Sequence, residues 1–303
     1  MATSKEAVGA VLAPSVPSGH RGSGPSWGAS LAWNAARRMT EAGRSQPWAP
    51  MSANELTPTR RPVPASLFGG RYTDAFLLDL EVVRAENPAS HVRSLTVASS
   101  DLVGFEFRAG QDLMIGFPGG GRTLRRRYTI RRGDPTAGTV DLEFEIHRDG
   151  GVATRWAAKA DIGSRLEAIG PRGVITLRPG TRPYLFVADD SAMPFAFAML
   201  EALPPVAEAT AILVSRYGPG SRPGPVSAAD TRLVWVTEAE IAEAIEGLGP
   251  VRGTAAHVNG ERHLVLRTVD LLIAAGVDPG DVTSKAYWRR DQPNEDRGEP
   301  SHV

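Results

Sequence analysis

From about Phe76 onward the chain falls into short segments in which apolar and polar residues alternate. The clearest is Thr139 to His147, where Val140, Leu142, Phe144 and Ile146 alternate with Asp141, Glu143 and Glu145. A period of two buries one face of a strand and wets the other. Comparable segments lie at Val92–Ala98, Phe105–Phe107, Leu113–Phe117 and Arg165–Ile169, separated by turn-rich joints such as Gly133-Asp134-Pro135. Many short strands with frequent turns predict a small antiparallel β-barrel, interrupted by one helical insert from Val152 to Ala160. After Gly180 the pattern changes. Tyr184–Ala188, Ala209–Ser215 and Leu233–Val236 are apolar runs of the kind buried parallel strands show. Helical segments are predicted at Ala192–Leu203, Glu238–Glu246 and Arg262–Ala275, with a last strand near Val282–Arg289. The second half therefore reads as a small doubly wound α/β domain, whose ligands bind beyond the carboxyl ends of its strands.

The 303 residues suffice for two domains of ordinary size. We expect the barrel over 69–180 and the α/β domain over 181–292, between an N-terminal extension (1–68) and a tail (293–303). The first 65 or so residues are rich in Pro, Gly, Ser and Ala, and carry seven basic residues against three acidic ones. Such a stretch buries too little apolar surface to offset its ordering entropy, so the extension and the tail are expected to be disordered. No continuous apolar core follows the early charges, which argues against a secretory signal; the composition suits an organelle transit peptide, or equally a start at Met39 or Met51. Basic and acidic residues balance at 34 each, which gives no case for nucleic acid or a membrane surface, and no stretch has the length of a bilayer span. There are no cysteines. Disulfides, thiolate catalysis and a cysteine-ligated iron–sulfur cluster within this chain are excluded, so redox chemistry has to ride on a bound organic cofactor or come from elsewhere.

Candidate chemistry concentrates in the run RRRYTIRR. In a strand Arg126, Tyr128 and Ile130 point one way and Thr129 and Arg131 the other. An arginine fork for a pyrophosphate, an aromatic face for a ring system and a hydroxyl for a ring nitrogen then share one segment, which is what a flavin dinucleotide requires. Taken alone the run suits an arginine-rich edge strand equally well. Downstream, His147 ends the alternating strand, and Gly150-Gly151-Val152-Ala153-Thr154 opens the helix ahead of Trp156, offering backbone N–H groups and a hydroxyl to an anion. Other chemistry has no support. There is no G-x-G-x-x-G after a strand, no G-K-[ST] phosphate loop, and no G-x-S-x-G elbow around Ser191. His257 and His263 lack a zinc-site spacing and no cysteine assists, so no metal ligands are assigned.

The motifs come in an ordered series: Arg126 to Arg131 as RRYTIR, then HRDGGVATRW, then Gly170-Pro171-Arg172-Gly173, then Asp189-Asp190-Ser191-Ala192-Met193-Pro194, then Gly260-Glu261 before a helix, and finally Ala286-Tyr287-Trp288-Arg289. This series resembles the siderophore-interacting protein family, FAD-dependent ferric-siderophore reductases of the ferredoxin-reductase-like superfamily, over roughly residues 75 to 292. The family pattern runs RxYTxR, H-x-x-x-G-x-A-[ST]-x-W, GPRG, DETALP, G-E and GYWR. This chain departs from it at Ala188, Asp190, Phe195 and Ala286, mostly around the expected nicotinamide side.

The resemblance implies a flavin-binding barrel followed by an NAD(P)H-binding α/β domain, with FAD as cofactor and NAD(P)H as electron donor. It places Tyr128 against the isoalloxazine and Thr129 near its reactive nitrogen, as the two catalytic positions. Arg126 would meet the pyrophosphate with Gly151, Val152, Ala153 and Thr154; Arg131 and His147 would complete the flavin site. Asp189, Ser191, Ala192, Met193 and Pro194 would line the nicotinamide approach, shaped by Tyr287 and Trp288. The implied substrate is a ferric siderophore, with Arg122, Arg125, Arg127 and Arg132 as a basic mouth for an anionic complex. We expect a cytoplasmic monomer with no membrane span and no nucleic-acid partner. Two alternatives stay open: a general NAD(P)H:flavin or electron-carrier reductase on the same fold, and a non-enzymatic flavin- or siderophore-binding protein.

Overall fold

The structure, a computed structural model, describes residues 60–63, 75–119, 122–148, 150–177, 182–249 and 251–290. All of them belong to one compact unit. Most of the N-terminal extension, the 180/181 domain boundary and the 293–303 tail lie outside the described residues.

The first sheet holds β1 (Arg61–Pro62), β2 (Phe76–Ala89), β3 (Val92–Ala98), β4 (Asp112–Gly119), β5 (Arg122–Thr129), β6 (Arg132–Asp134), β7 (Thr139–Glu145) and β8 (Arg165–Arg172). Its order is β5-β4-β8-β2-β3-β7-β6, with β1 on β2, and every pairing is antiparallel. The two edge strands β5 and β6 are consecutive in the chain, separated by Ile130 and Arg131, so the sheet curls back on itself into a barrel. The alternation of β7 works as its sequence requires: Val140, Leu142 and Phe144 are fully buried with Leu80, Val97, Leu113, Ile115 and Phe117 in the barrel core. Helix α1 (Val152–Ala157) contributes Ala153 and Ala157 to that core, and Trp156 packs on it.

Two expectations needed correction here. Phe105–Phe107 is not a strand; it is a connecting segment without ladder bonds, and Phe105 instead meets Phe76 edge-on at 6.1 Å. Residues 60–63 belong to the extension expected to be disordered, yet Arg60 donates from its backbone to Asp101 (2.9 Å) and from its guanidinium to the Val103 carbonyl (2.9 Å), and β1 pairs with β2. One charged side chain satisfying the loop carbonyls of Asp101 and Val103 anchors a segment that composition alone gives no reason to order.

The second sheet is parallel throughout: β9 (Tyr184–Asp189), β10 (Glu208–Val214), β11 (Asp230–Val236), β12 (Ala255–Glu261) and β13 (Val282–Trp288), in the order β11-β10-β9-β12-β13. Helix α2 (Met193–Glu201) packs one face, where Phe186, Phe195, Phe197 and Leu213 meet. Helices α3 (Ile241–Glu246) and α4 (Arg262–Ala274) pack the other, over Val187, Ile212 and Val258. The chain leaves β9 in one direction through β10 and β11, then returns to its other side through β12 and β13. The switch point therefore lies between the carboxyl ends of β9 and β12, at Asp189 and Glu261, and ligands of such sheets bind at that point.

Candidate active site

The predicted residues fall into three groups, and the first two meet where the barrel touches the carboxyl edge of the parallel sheet. The first is on β5. Tyr128 is half-buried in an aromatic nest, its ring 4.2 Å from that of Phe144 and 6.1 Å from that of Phe117, which in turn contacts Trp156 at 5.7 Å. Burial pushes the Tyr128 phenol well above its ordinary range, with the Arg126 charge offsetting part of the rise. Arg126 is half-buried on the same strand face and donates to the Arg125 carbonyl at 2.8 Å. Thr129 ends the strand and contacts the second domain through Tyr287: burial raises the Tyr287 phenol, against a side-chain hydrogen bond from Thr129.

The second group surrounds Asp189. Its Oδ1 accepts from Ser191 N (2.9 Å), Ser191 Oγ (2.6 Å) and Ala192 N (3.1 Å); its Oδ2 accepts from Glu261 N (2.8 Å) and from the Trp288 indole Nε1 (3.1 Å). Burial raises this carboxyl to about 6 despite those donors. Trp288 reaches Asp189 across β12 because position 260 is glycine: a Cβ there would stand 2.6 Å from the Asp189 carboxylate. The β12–β13 ladder shifts register at this point, with Gly260 opposite Ala286 and Glu261 opposite Trp288, so Tyr287 is the extra residue of a bulge. Bulges re-aim side chains beside functional sites. The side chains of Ala192, Met193 and Pro194, at the start of α2, are buried, leaving backbone rather than side chains to offer a ligand.

The third group flanks α1. A cavity of about 640 Å³ is lined by Gly119, Leu124, Val152, Arg155, Trp156 and Lys159. Gly151 caps α1 without a side-chain bond, and a Cβ on Gly150 would stand 2.3 Å from Thr154, so that approach admits only glycine. Thr154 Oγ donates to the Glu145 carbonyl (3.2 Å) and is thus engaged with the barrel. His147 is exposed beyond the strand end.

Arg131 goes elsewhere. Its side chain is 3% exposed and donates to both oxygens of Glu201 on α2, at 2.7 and 2.6 Å, with Glu143 3.7 Å away and the ring of Phe197 beneath it at 5.4 Å. Such a fork is spent on joining the domains, not on a cofactor. Of the four arginines of the expected basic mouth, Arg132 also bonds Glu201 (2.9 and 2.7 Å) and Arg127 bonds Asp112 (3.0 and 2.6 Å). The same interface is extended by Arg216 and Tyr217 on Glu145, Arg222 on Glu143, and Tyr217 stacked on His91 at 3.8 Å. Sequence reading missed Glu201, Glu143 and Glu145 as docking residues, because nothing local distinguishes them from solvated carboxylates. It also passed over Lys285, which reaches Asp112 at 3.4 Å.

The donor set fits a flavin dinucleotide: an arginine and an aromatic face on one strand, a glycine-only approach to a helix start, and a cavity lined by Trp156, Arg155 and Lys159. Among the described residues no cluster of His, Asp or Glu could hold a metal ion, and no helix is long and apolar enough to cross a membrane.

Comparison with known proteins agrees with this arrangement. Residues 90–175 match the siderophore-interacting FAD-binding domain, and residues 181–291 match the siderophore-interacting protein model. The ferric vibriobactin reductase of Vibrio cholerae is 28% identical over 145 residues, 41% of this chain and 54% of that protein, so the match spans about half of that relative. A siderophore utilization protein from T. fusca superposes with a TM-score of 0.63 at 24% identity, over 73% of this chain and 96% of that one. The siderophore-interacting protein of Aeromonas hydrophila superposes with a TM-score of 0.59 at 26% identity, over 71% and 92%. The ordered motifs, the barrel joined to a parallel sheet and the two adjoining family matches place this chain in the siderophore-interacting protein family.

Proposed function

We infer that this protein is an FAD-dependent reductase that takes electrons from NAD(P)H and passes them to a ferric siderophore, releasing Fe(II). The observation that carries the reading is the contact of the end of β5 with β13: Lys285 reaches Asp112, the ladder partner of Thr129, at 3.4 Å, and Thr129 itself hydrogen-bonds Tyr287. It brings the end of the flavin-type strand to the carboxyl edge of a doubly wound sheet, where a nucleotide belongs. The relatedness to a ferric vibriobactin reductase supports the choice of acceptor.

In this reading Arg126 meets the pyrophosphate with a charge-assisted bond, and Gly150 and Gly151 let backbone N–H groups approach it. Tyr128 presents an aromatic face that its packing against Phe144 holds fixed. When bound, FAD accepts two electrons together as hydride and gives them up singly. One NAD(P)H therefore reduces two ferric complexes and releases one proton. Siderophores, with hard oxygen donors, hold Fe(III) far better than Fe(II), so reduction loosens the metal and no iron ligand from the protein is needed. Asp189 fixes the Ser191–Ala192 turn and the Trp288 indole on one carboxylate, which sets the shape of the nucleotide approach.

The test is anaerobic absorbance of the purified protein loaded with FAD. Bleaching by NADH or NADPH, followed by recovery as a ferric siderophore is added and Fe(II) appears, is the expected result. Bleaching without recovery by the siderophore but with recovery by other acceptors would assign a general reductase. A protein that cannot be loaded with FAD would overturn the reading.

A further inference from the structure

Asn259 stands on β12, one strand from the Asp189–Trp288 node but on the opposite face of the sheet. It is 1% exposed, and neither its amide nitrogen nor its amide oxygen has a hydrogen-bond partner among the described residues. A primary amide offers two donors and two acceptor lone pairs. Leaving all of them unmet in a buried site costs free energy that an apolar residue there would not. The ladder fixes its surroundings: Asn259 pairs with Ala188 of β9 on one side and Lys285 of β13 on the other. Ala188 packs with Ala192 and Met193 at the start of α2, and Tyr287, half-buried, packs on the same cluster. Lys285 reaches across to Asp112 of the barrel and lies 5.5 Å from the Tyr287 ring centroid. The amide is thus two residues from the switch point, on the face turned to α2 and to the barrel.

We propose that Asn259 is the specificity residue that reads the carboxamide of the nicotinamide ring, which reaches it past Tyr287. The proposal rests on the NAD(P)H-dependent reading above. Its chemistry is direct. The neighbouring ammonium already has a carboxylate, so the position suits a neutral polar group. The group that satisfies a donor–acceptor pair with an acceptor–donor pair is a second primary amide, and the nicotinamide carboxamide is one. Its nitrogen donates to Asn259 Oδ1 and its oxygen accepts from Asn259 Nδ2. No covalent change is required of Asn259; it orients the ring.

The experiment compares the FAD-loaded wild type with Asn259→Ala and Asn259→Asp. Calorimetry measures the dissociation constants of the oxidised coenzyme and of its 3-acetylpyridine analogue, in which a methyl group replaces the carboxamide NH2. The wild type is expected to favour the carboxamide coenzyme about tenfold, a preference that Asn259→Ala abolishes by weakening the natural coenzyme more than the analogue, which keeps only the carbonyl. Asn259→Asp keeps the acceptor for the carboxamide NH2 but loses the donor to the carbonyl that both ligands carry, so it should bind both more weakly while keeping the preference. Thermal midpoints of both variants establish that they fold, and Asn259→Ala should melt no lower than wild type, because it removes an unmet amide. Equal preference in wild type and Asn259→Ala overturns the proposal while NAD(P)H still bleaches the flavin. A flavin that neither nucleotide bleaches overturns the proposal together with the reading beneath it.

Discussion

Arg131 and Glu201 face each other as a two-bond fork, 2.7 and 2.6 Å, between the link joining the barrel's edge strands and the end of α2. Arg132 bonds the same carboxylate from its other side. Burial raises the Glu201 carboxyl, but the hydrogen bonds and charges of the two arginines outweigh that and bring it down to about 2. A carboxyl depressed on folding stabilises the fold above its unfolded value, near 4.5, and loses that contribution as pH falls toward 2. Glu201→Ala should therefore lower stability by about 3 kcal/mol at pH 7, since it strands a buried guanidinium. Urea unfolding of wild type and variant should show the difference shrinking as pH drops from 4.5 to 2.5. A gap that stays constant over that range would show that the carboxylate's charge is not what joins the domains.

Asp189 has the opposite sign. Its folded value, about 6, lies above the ordinary 3.8 because burial penalises the charge more than five donors relieve it. A carboxyl raised on folding favours the folded state most when protonated, so its stabilising contribution is full below about 4 and is lost as pH rises through 6. Protonation also weakens the bond from Trp288. Tryptophan fluorescence should show a transition centred near pH 6 that Asp189→Asn removes. A transition that survives in that variant would have to be assigned to another group.

These two carboxylates mark what is readable in a sequence and what is not. The alternation of β7 and the apolar runs of β9 and β10 are local patterns, so their strands could be read directly. The run from Arg126 to Arg131 announced a binding strand, but not that Arg131 would be consumed by a glutamate 70 residues away. Trp288 stood out as part of a closing motif, while its partner Asp189 lies 99 residues back and meets it only because Gly260 between them lacks a side chain. The bulge at Tyr287 and the unmet amide of Asn259 are properties of strand register, which no window of the sequence contains. Phe105–Phe107 has the alternation of a strand but no partner edge, and turned instead into aromatic packing.

Gly260 is the backbone condition for the Asp189 node. Its φ is +144°, a region side-chain-bearing residues rarely adopt, and a Cβ would press on the carboxylate itself. Gly260→Ala should destabilise the protein by roughly 2–4 kcal/mol through strain and overpacking together. It should also free the Trp288 indole from Asp189. Thermal unfolding reads the first effect, and loss of the fluorescence transition near pH 6 reads the second. An unchanged melting point would show that the strand relaxes around the methyl group.

Arg126 and Tyr128 separate two ways of holding a flavin. Arg126→Ala removes a charge-assisted partner for a phosphate, worth roughly 1.5–3 kcal/mol, so the dissociation constant for FAD should rise about ten- to a hundredfold. Its barrel should remain intact, since Arg126 is half-buried and outside the aromatic nest. Tyr128→Leu instead removes the ring that packs 4.2 Å from Phe144 and should affect both FAD binding and the melting point. The discriminating ligand is riboflavin, which has the ring system and no phosphate. Arg126→Ala should bind riboflavin as wild type does, whereas Tyr128→Leu should weaken riboflavin and FAD alike. Equal losses for both ligands in Arg126→Ala would remove this arginine from the pyrophosphate and return it to the surface.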